Sequence, residues 1–137
     1  MTGRYLKRIK IAPSRIKGAG TGVFSKKYIT KGTNLGYYKG KEYDAITIKP
    51  KDLKFLDKSQ YVMGIFDKYG NVIKYVDSSD KNKKFSNWTR YINGVKDPKQ
   101  KPNVKFIQKR TRVHIIAIKN IPPNKELIVD YGEHYEW

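Results

Sequence analysis

The most informative stretch of the sequence is Glu126-Leu127-Ile128-Val129-Asp130-Tyr131-Gly132-Glu133-His134-Tyr135-Glu136-Trp137. Its first four residues follow the chain-breaking segment Pro122-Pro123-Asn124 and predict a short strand over 126–129. The rest of the stretch is acidic and aromatic, which is unusual because chain ends commonly fray unless contacts hold them. Three aromatic side chains, Tyr131, Tyr135 and Trp137, give this tail enough apolar area to pack against the rest of the protein.

Earlier in the chain, a second segment places asparagine beside glycine. It is Asn87-Trp88-Thr89-Arg90-Tyr91-Ile92-Asn93-Gly94-Val95, and Asp97-Pro98 and Pro102-Asn103 follow it. The side chain of Asn93 carries both a donor and an acceptor, so together with the main chain of Gly94 it can hold a polar ligand. Trp88 and Tyr91 are better explained as anchors of the core than as ligand platforms.

The first segment in chain order is Gly18-Ala19-Gly20-Thr21-Gly22-Val23-Phe24, in which glycine alternates with other residues just before a predicted strand. Residues 87–95 form the second segment, and residues 126–137 the third. Glycine adopts positive φ angles without strain and lets a ligand approach the main chain closely. No Gly-Lys-Ser/Thr follows, which excludes a phosphate-binding loop, and the glycine spacing excludes a dinucleotide fingerprint. Taken alone, the segment is better explained by a tight turn than by a ligand-binding loop.

The remaining pattern predicts a mostly β protein with short helices. β-Branched and aromatic residues recur in brief runs separated by Gly, Pro, Asn and Asp, which is typical of strands joined by turns. We predict hairpins around the loop 67–71 and around the basic turn between residues 108 and 113. The predicted strands are residues 5–11, 21–25, 61–66, 72–76, 104–108, 113–118 and 126–129, with short helices at 50–57 and 86–91. No break in composition divides the chain, so we expect a single domain over residues 1–137.

The composition is strongly basic, with 30 Lys and Arg against 12 Asp and Glu and a formal net charge of +18. No acidic residue precedes Glu42, and Asp97 is the only acidic residue in the range 81–112. Residues 126–137 hold four acidic residues and no Lys or Arg. This asymmetry favours nucleic acid as a partner of the basic surface and something cationic as a partner of the acidic end. A lysine-rich surface without a specific partner explains the charge equally well.

Several classes of protein are excluded by what the sequence lacks. There is no cysteine, which excludes disulfides, thiolate nucleophiles and cysteine-ligated zinc, and two separated histidines do not make a metal site. No run approaches the roughly 18 apolar residues of a membrane span, and charges interrupt the first ten residues where a signal peptide would have its apolar core. We therefore expect a soluble, intracellular protein without a metal and without a membrane partner.

Taken together in their order along the chain, the three segments resemble the motifs of the SET domain family of protein lysine methyltransferases, over nearly the whole chain. Residues 18–24 look like the first motif of that family, residues 91–103 like an expanded form of its Asn-His-Ser and Pro-Asn motif, and residues 126–132 like its last motif. Asn87 to Asn93 and Tyr38-Lys39-Gly40 are closest to the PR subgroup, which in animals is usually joined to zinc fingers. The end of the chain is also similar to small stand-alone SET proteins of large DNA viruses.

Two departures from the family pattern are visible. Gly94-Val95 stands where the family has His-Ser, which weakens one hydrogen-bonding element, although PR members also vary at that point. The cysteine-rich flank that binds zinc in many members is missing, so closure of the site would depend on Tyr135 and Trp137.

The resemblance implies a SET-domain β-clip, in which small sheets surround a C-terminal segment that is threaded through a loop, so that the second and third segments meet. It implies S-adenosyl-L-methionine as the cofactor, bound by Ala19, Gly20, Thr21, Tyr61, Asn93, Gly94, Tyr135 and Trp137. It also implies that lysine enters from the opposite face through a channel lined by Tyr38, Ile115, Val129 and Tyr131. Tyr131 and Tyr38 are the expected catalytic residues.

The implied chemistry requires a neutral lysine amine. A free amine has a pKa of about 10.4, and an apolar channel next to a sulfonium charge disfavours the ammonium form. Tyr131 would then orient the amine rather than act as a base, because a phenol is a poor base at neutral pH. The resemblance places Val129 where family members carry larger aromatic residues, so di- and trimethylation are expected to be possible.

The expected substrate is a histone or another basic protein, with nucleosomal DNA as a contact of the basic surface. The expected location is the nucleus or chromatin, or a viral factory if the protein is viral. Two alternatives stay open: a SET-like interaction module without catalysis, and a small basic β protein whose aromatic residues stack on nucleic acid.

Overall fold

A computed structural model describes residues 7–82, 84–95 and 99–130. The helical segments are α1, Pro50–Leu56, and a 3₁₀ turn, Trp88–Tyr91. The strands are β1 Ile9–Pro13, β2 Thr21–Ser25, β3 Asn34–Tyr37, β4 Lys41–Asp44, β5 Val62–Phe66, β6 Val72–Asp77, β7 Asn93–Gly94, β8 Val104–Lys109, β9 Arg112–Ala117 and β10 Ile128–Val129. They form sheets with the orders β1-β2, β4-β6-β5 and β3-β9-β8-β10-β7. The mostly β fold with one short helix agrees with the sequence prediction.

Both predicted hairpins are present, and local chemistry explains their turns. Between β5 and β6, the Asp67 carboxylate accepts hydrogen bonds from the backbone N–H groups of Tyr69 and Asn71, each at 2.9 Å. Gly70 completes this turn with a φ of +84°. Between β8 and β9, Arg110 takes the positive φ of +58°, and its carbonyl accepts a hydrogen bond from the Gln108 amide at 2.8 Å.

The last strand lies between two strands that precede it in the chain. β10 pairs in parallel with β7, Ile128 opposite Asn93 and Val129 opposite Gly94, and also in parallel with β8. Asn103 fastens this arrangement, since its amide accepts from the Ile128 N–H at 2.8 Å and donates to the Glu126 carbonyl at 2.9 Å. The second and third sequence segments therefore meet, as expected for a fold with a threaded C-terminal segment.

One apolar core joins the three sheets. Its fully buried aliphatic side chains each stabilise the fold by about 1.5–3 kcal/mol through removal from water. Members from the different sheets are Ile9 and Val23, Leu35 and Ile115, and Ile65. This shared core fixes the positions of the loops that surround the site.

Several predicted elements differ from the observed ones. β3, β4 and β7 were not predicted, because they are short and contain glycine or charged residues. β1 begins at Ile9 rather than residue 5, and residues 1–6 lie outside the described chain. The predicted helix 86–91 is a 3₁₀ turn that begins at Trp88, because Asn87 caps it by accepting the Thr89 N–H at 3.0 Å. In the described ranges, no helix has the length and apolar character needed to cross a bilayer.

Candidate active site

A cleft of about 1020 Å³ opens where the three sequence segments meet. The first segment contributes Ala19 and Thr21, and the second contributes Tyr91 through Val95. Asp130, directly after β10, lies on the same wall, and β5 and β8 supply further lining residues. Of the residues predicted to bind a cofactor, the cleft brings together Ala19, Thr21, Tyr61, Asn93 and Gly94.

The glycine segment forms a closed turn beside this cleft. Gly18 and Gly20 have φ angles of +79° and +72°, which confirms the expectation of positive φ at this spacing. The Ser14 N–H donates to the Gly20 carbonyl at 2.7 Å and closes the turn. A Cβ added at Gly20 would meet no atom within 4 Å, so its main chain is open to a ligand. Gly20 itself is placed between two lining residues, Ala19 and Thr21.

Asn93 connects the second segment to the other two. Its amide nitrogen donates to the Thr21 carbonyl at 3.0 Å and to the Glu126 carboxylate at 3.1 Å. These contacts use both N–H bonds of the amide, so the acceptor oxygen Oδ1 is the atom that they leave for a ligand. The predicted use of Asn93 and Gly94 from side chain and main chain together is compatible with this geometry.

An arginine that the sequence analysis did not single out lies against the aromatic wall. Arg90 is only 7% exposed, and its guanidinium lies 4.4 Å from the Tyr61 ring centroid and 4.8 Å from that of Tyr91. Its Nε donates to the Ser78 carbonyl at 2.8 Å and its Nη2 to the Ser79 carbonyl at 3.2 Å. The guanidinium therefore fixes two tyrosine rings and one loop at the same point. The sequence signal was present, since Arg90 lies inside the second segment.

Tyr38, predicted to be catalytic, is buried at the edge of the cleft. Its hydroxyl donates to the Tyr61 carbonyl at 2.7 Å, and its ring centroid lies 6.0 Å from that of Phe106. A phenol oxygen can accept a hydrogen bond as well as donate one. Tyr38 is thus held rigidly, and its donor is directed at the main chain of a predicted cofactor-binding residue.

The remaining predicted site residues are placed differently. Ile115 and Val129, expected to line a lysine channel, are 0% and 1% exposed and belong to the core cluster rather than to the cleft wall. Tyr131, Tyr135 and Trp137 lie outside the described residues. Their assigned roles in catalysis and closure stay predictions.

The described wall of the cleft is aromatic and carries more positive than negative charge. Its charged members are Lys81, Arg90 and Lys105 against Asp130. In the portion of the chain that the structure describes, no three His, Asp or Glu side chains approach closely enough to hold a metal ion. Main-chain groups, the amide oxygen of Asn93 and several rings are among the groups that these residues offer a ligand.

Comparison with known proteins identifies the family to which the chain is similar. Residues 9–137 match the family described as PR domain zinc finger protein 2, PR domain. The histone-lysine N-methyltransferase set-17 of Caenorhabditis elegans is 33% identical over 127 residues, which are 92% of this chain and 41% of that protein.

Solved structures share the fold. The methyltransferase domain of human PR domain-containing protein 2 superposes with a TM-score of 0.68 at 21% identity, over 95% of this chain and 80% of that one. The Chaetomium thermophilum Polycomb Repressive Complex 2, in an autoinhibited conformation bound to S-adenosylmethionine, superposes with a TM-score of 0.63 at 20% identity. That match covers 94% of this chain and 16% of the other. Among the relatives matched by sequence, the chain spans about two fifths of the length of set-17.

Proposed function

The chain belongs to the PR domain branch of the SET family, and from this premise we propose that it is a protein-lysine N-methyltransferase that uses S-adenosyl-L-methionine. One observation carries the proposal: residues of three distant sequence segments, among them Thr21, Asn93 and Asp130, line one cleft beside Tyr61. The names of the relatives add the class of reaction, since set-17 is a histone-lysine N-methyltransferase.

The residues present suit this cofactor. A volume of about 1020 Å³ is at the upper end of the range for small-molecule sites. The open main chain at Gly20 and the free oxygen of Asn93 supply polar contacts, and the rings of Tyr61 and Tyr91 supply apolar ones. An amide oxygen can accept hydrogen bonds from an α-ammonium group, and aromatic faces attract a sulfonium cation.

Each part of the chain would have a separate task in the reaction. Bound S-adenosyl-L-methionine supplies a methyl group activated by the sulfonium. The main chain of Ala19, Gly20 and Thr21, with Asn93 and Gly94, would hold the cofactor in one orientation. Tyr61, whose carbonyl accepts from the Tyr38 hydroxyl, would link the cofactor wall to the lysine side. Most of the acceleration would come from alignment of the amine with the methyl group.

The lysine side chain must lose its proton before it attacks. The buried rings of Tyr38 and Phe106 create surroundings that disfavour an ammonium ion by desolvation. We assign the orientation of the neutral amine to the hydroxyl of Tyr131, assisted by the phenol oxygen of Tyr38. Neither phenol needs to act as a strong base, because desolvation already favours the neutral amine.

Isothermal titration with S-adenosyl-L-methionine, followed by methyl transfer to purified core histones, tests the proposal. We expect binding and incorporation of label into lysine. Binding without any incorporation into histones or other basic proteins would instead indicate a SET-like interaction module. Absence of cofactor binding in moderate salt, together with binding to nucleic acid, would favour the basic β protein.

We further propose that the substrate is a histone tail on chromatin in the nucleus, and that the basic surface contacts nucleosomal DNA. The formal net charge of +18 supports the second part, because cationic side chains bind phosphate and release counterions. Activity on nucleosomes should therefore fall more steeply with salt than activity on a free histone peptide. Equal salt dependence of the two activities would contradict the DNA contact.

A further inference from the structure

Glu126 is a buried carboxylate for which the proposed reaction has no use. It is 5% exposed in a chain with a large excess of positive charge. A buried carboxylate is costly unless hydrogen bonds compensate for its lost hydration. Its position just before β10 places it between the first and the second sequence segments.

Three donors from two distant parts of the chain converge on this carboxylate. The Ser14 hydroxyl donates to Oε2 at 2.7 Å, and the Arg15 backbone N–H donates to Oε1 at 3.0 Å. The Asn93 amide donates to Oε2 at 3.1 Å. Hydrogen bonds to an ionised acceptor are roughly twice as strong as neutral ones. Glu126 therefore connects the base of the glycine turn to the asparagine that faces the cleft.

Gly22 provides the space for the carboxylate. A Cβ built at this position would collide with Oε2 of Glu126 and would lie 3.3 Å from Cβ of Ser14. Unlike Gly18 and Gly20, Gly22 has no positive φ, so the requirement for glycine at this position is one of space. The third glycine of the segment thus serves the carboxylate rather than the turn.

We propose that Glu126 is a positioning residue, which sets the distance between the glycine turn and Asn93 and thereby the affinity for the cofactor. The inference rests on the proposed function, because it takes the cleft as the cofactor site. Ser14 begins the turn that Gly20 closes, so a contact at Ser14 holds the whole turn. The Asn93 amide is directed by Glu126 and Thr21 together, which leaves Oδ1 toward the ligand.

Replacement by glutamine isolates this role because the shape is conserved. A glutamine side chain has one acceptor oxygen, whereas the donors approach both oxygens of Glu126. Its NH₂ group must therefore face at least one of the donors that Ser14, Arg15 and Asn93 present. The turn or the amide then shifts, while the apolar core around Leu127 stays filled.

The experiment measures S-adenosyl-L-methionine affinity and steady-state kinetics for Glu126→Gln, with Glu42→Gln as the matched control. Glu42 is a carboxylate on β4 that is 59% exposed and paired with Lys74, away from the cleft. We expect about a tenfold rise in the cofactor Kd and KM for Glu126→Gln, since a charged hydrogen bond is lost. The peptide KM and the kcat at saturating cofactor should change less than twofold, and Glu42→Gln should match the wild type.

A purely structural role would lower the thermal midpoint without this split between the two KM values, and that result would overturn the inference. If Glu126→Gln does not fold, Ser14→Ala removes one contact from a partly exposed residue and should raise the cofactor Kd severalfold. Unchanged affinity in Ser14→Ala would then refute the role. A wild-type protein that does not bind the cofactor removes the proposed function as well, whereas equal binding by wild type and variants removes only the role of Glu126.

Discussion

Replacement of Arg90 by methionine tests how the aromatic wall of the cleft is held. Methionine keeps the apolar stem of the side chain and removes the guanidinium. The Ser78 and Ser79 carbonyls then lose their donors, and the rings of Tyr61 and Tyr91 lose the cation that lies against them. Loss of the positive charge is only part of the perturbation, because the buried guanidinium also carries a desolvation cost that methionine does not.

The magnitude follows from the surroundings of each partner. Ser78 is fully buried, so its orphaned carbonyl costs about 2 kcal/mol, whereas Ser79 is only partly buried and its carbonyl can reach water. The two ring contacts add about 0.5–1 kcal/mol each. We expect Arg90→Met to lower the free energy of unfolding by about 3 kcal/mol, or roughly 10 °C in Tm for a chain of this length.

Thermal unfolding and cofactor titration measure the two consequences. The matched control is Arg112→Met, since Arg112 lies 4.3 Å over the Tyr37 ring but is exposed and outside the cleft. The control should cost less than about 1 kcal/mol and leave the cofactor Kd unchanged. Arg90→Met should weaken cofactor binding severalfold, because Tyr61 and Tyr91 lose their common support. A stability and affinity equal to those of the wild type would show that Arg90 does not hold the aromatic wall.

Three further predictions concern single residues. Gly20→Ala forces a Cβ into a φ of +72°, so it should lower the free energy of unfolding by about 1–2 kcal/mol and weaken cofactor binding. Gly32→Ala, at +92° and outside the cleft, should cost the same stability without affecting binding. Equal cofactor Kd values for the two variants would contradict this prediction. Tyr38→Phe should lower the free energy of unfolding by only about 1 kcal/mol, because the Tyr61 carbonyl still accepts a hydrogen bond from the Ser78 N–H at 3.0 Å. The variant should lower kcat about tenfold while the cofactor Kd stays unchanged. An unchanged kcat would exclude Tyr38 from the chemistry. Burial lowers the pKa of the His114 ring from its usual 6.5, and the nearby cations Lys109 and Arg112 lower it further. The unfolded chain then binds this proton more tightly, so stability is complete above about pH 6.5 and falls as the pH decreases toward the folded pKa. His114→Gln should remove this part of the pH dependence of Tm, and identical slopes would show that the ring is not responsible.

Local patterns predicted the local elements. The hairpins β5–β6 and β8–β9 follow from alternating apolar residues around Asp67 to Asn71 and around Arg110, because both turns are stabilised by residues next to each other in the chain. β7 and β10 could not be predicted as a pair, since each has two residues and their parallel register depends on Asn103. The threaded C-terminal segment was predicted from the resemblance, because the periodicity of the sequence does not indicate it.

The site was predicted in outline, and its supports were not. Ala19, Thr21, Asn93 and Gly94 were identified from glycine and asparagine chemistry combined with the resemblance, and they do line one cleft. The buried state of Arg90 could not be predicted, because arginine is usually exposed and its carbonyl partners lie 11 and 12 residues away. The contact of Glu126 with Ser14 could not be predicted for the same reason, since the two residues are 112 positions apart and only the folded chain brings them together.

The proposed activity is tested by mass spectrometry of core histones that have been incubated with S-adenosyl-L-methionine and either the wild type or Tyr131→Phe. We expect methylated lysine with the wild type and a strong loss of product with Tyr131→Phe. Equal methylation by both proteins would contradict the role of Tyr131. No methylated lysine from a wild-type protein that is folded and binds the cofactor would contradict the proposed activity.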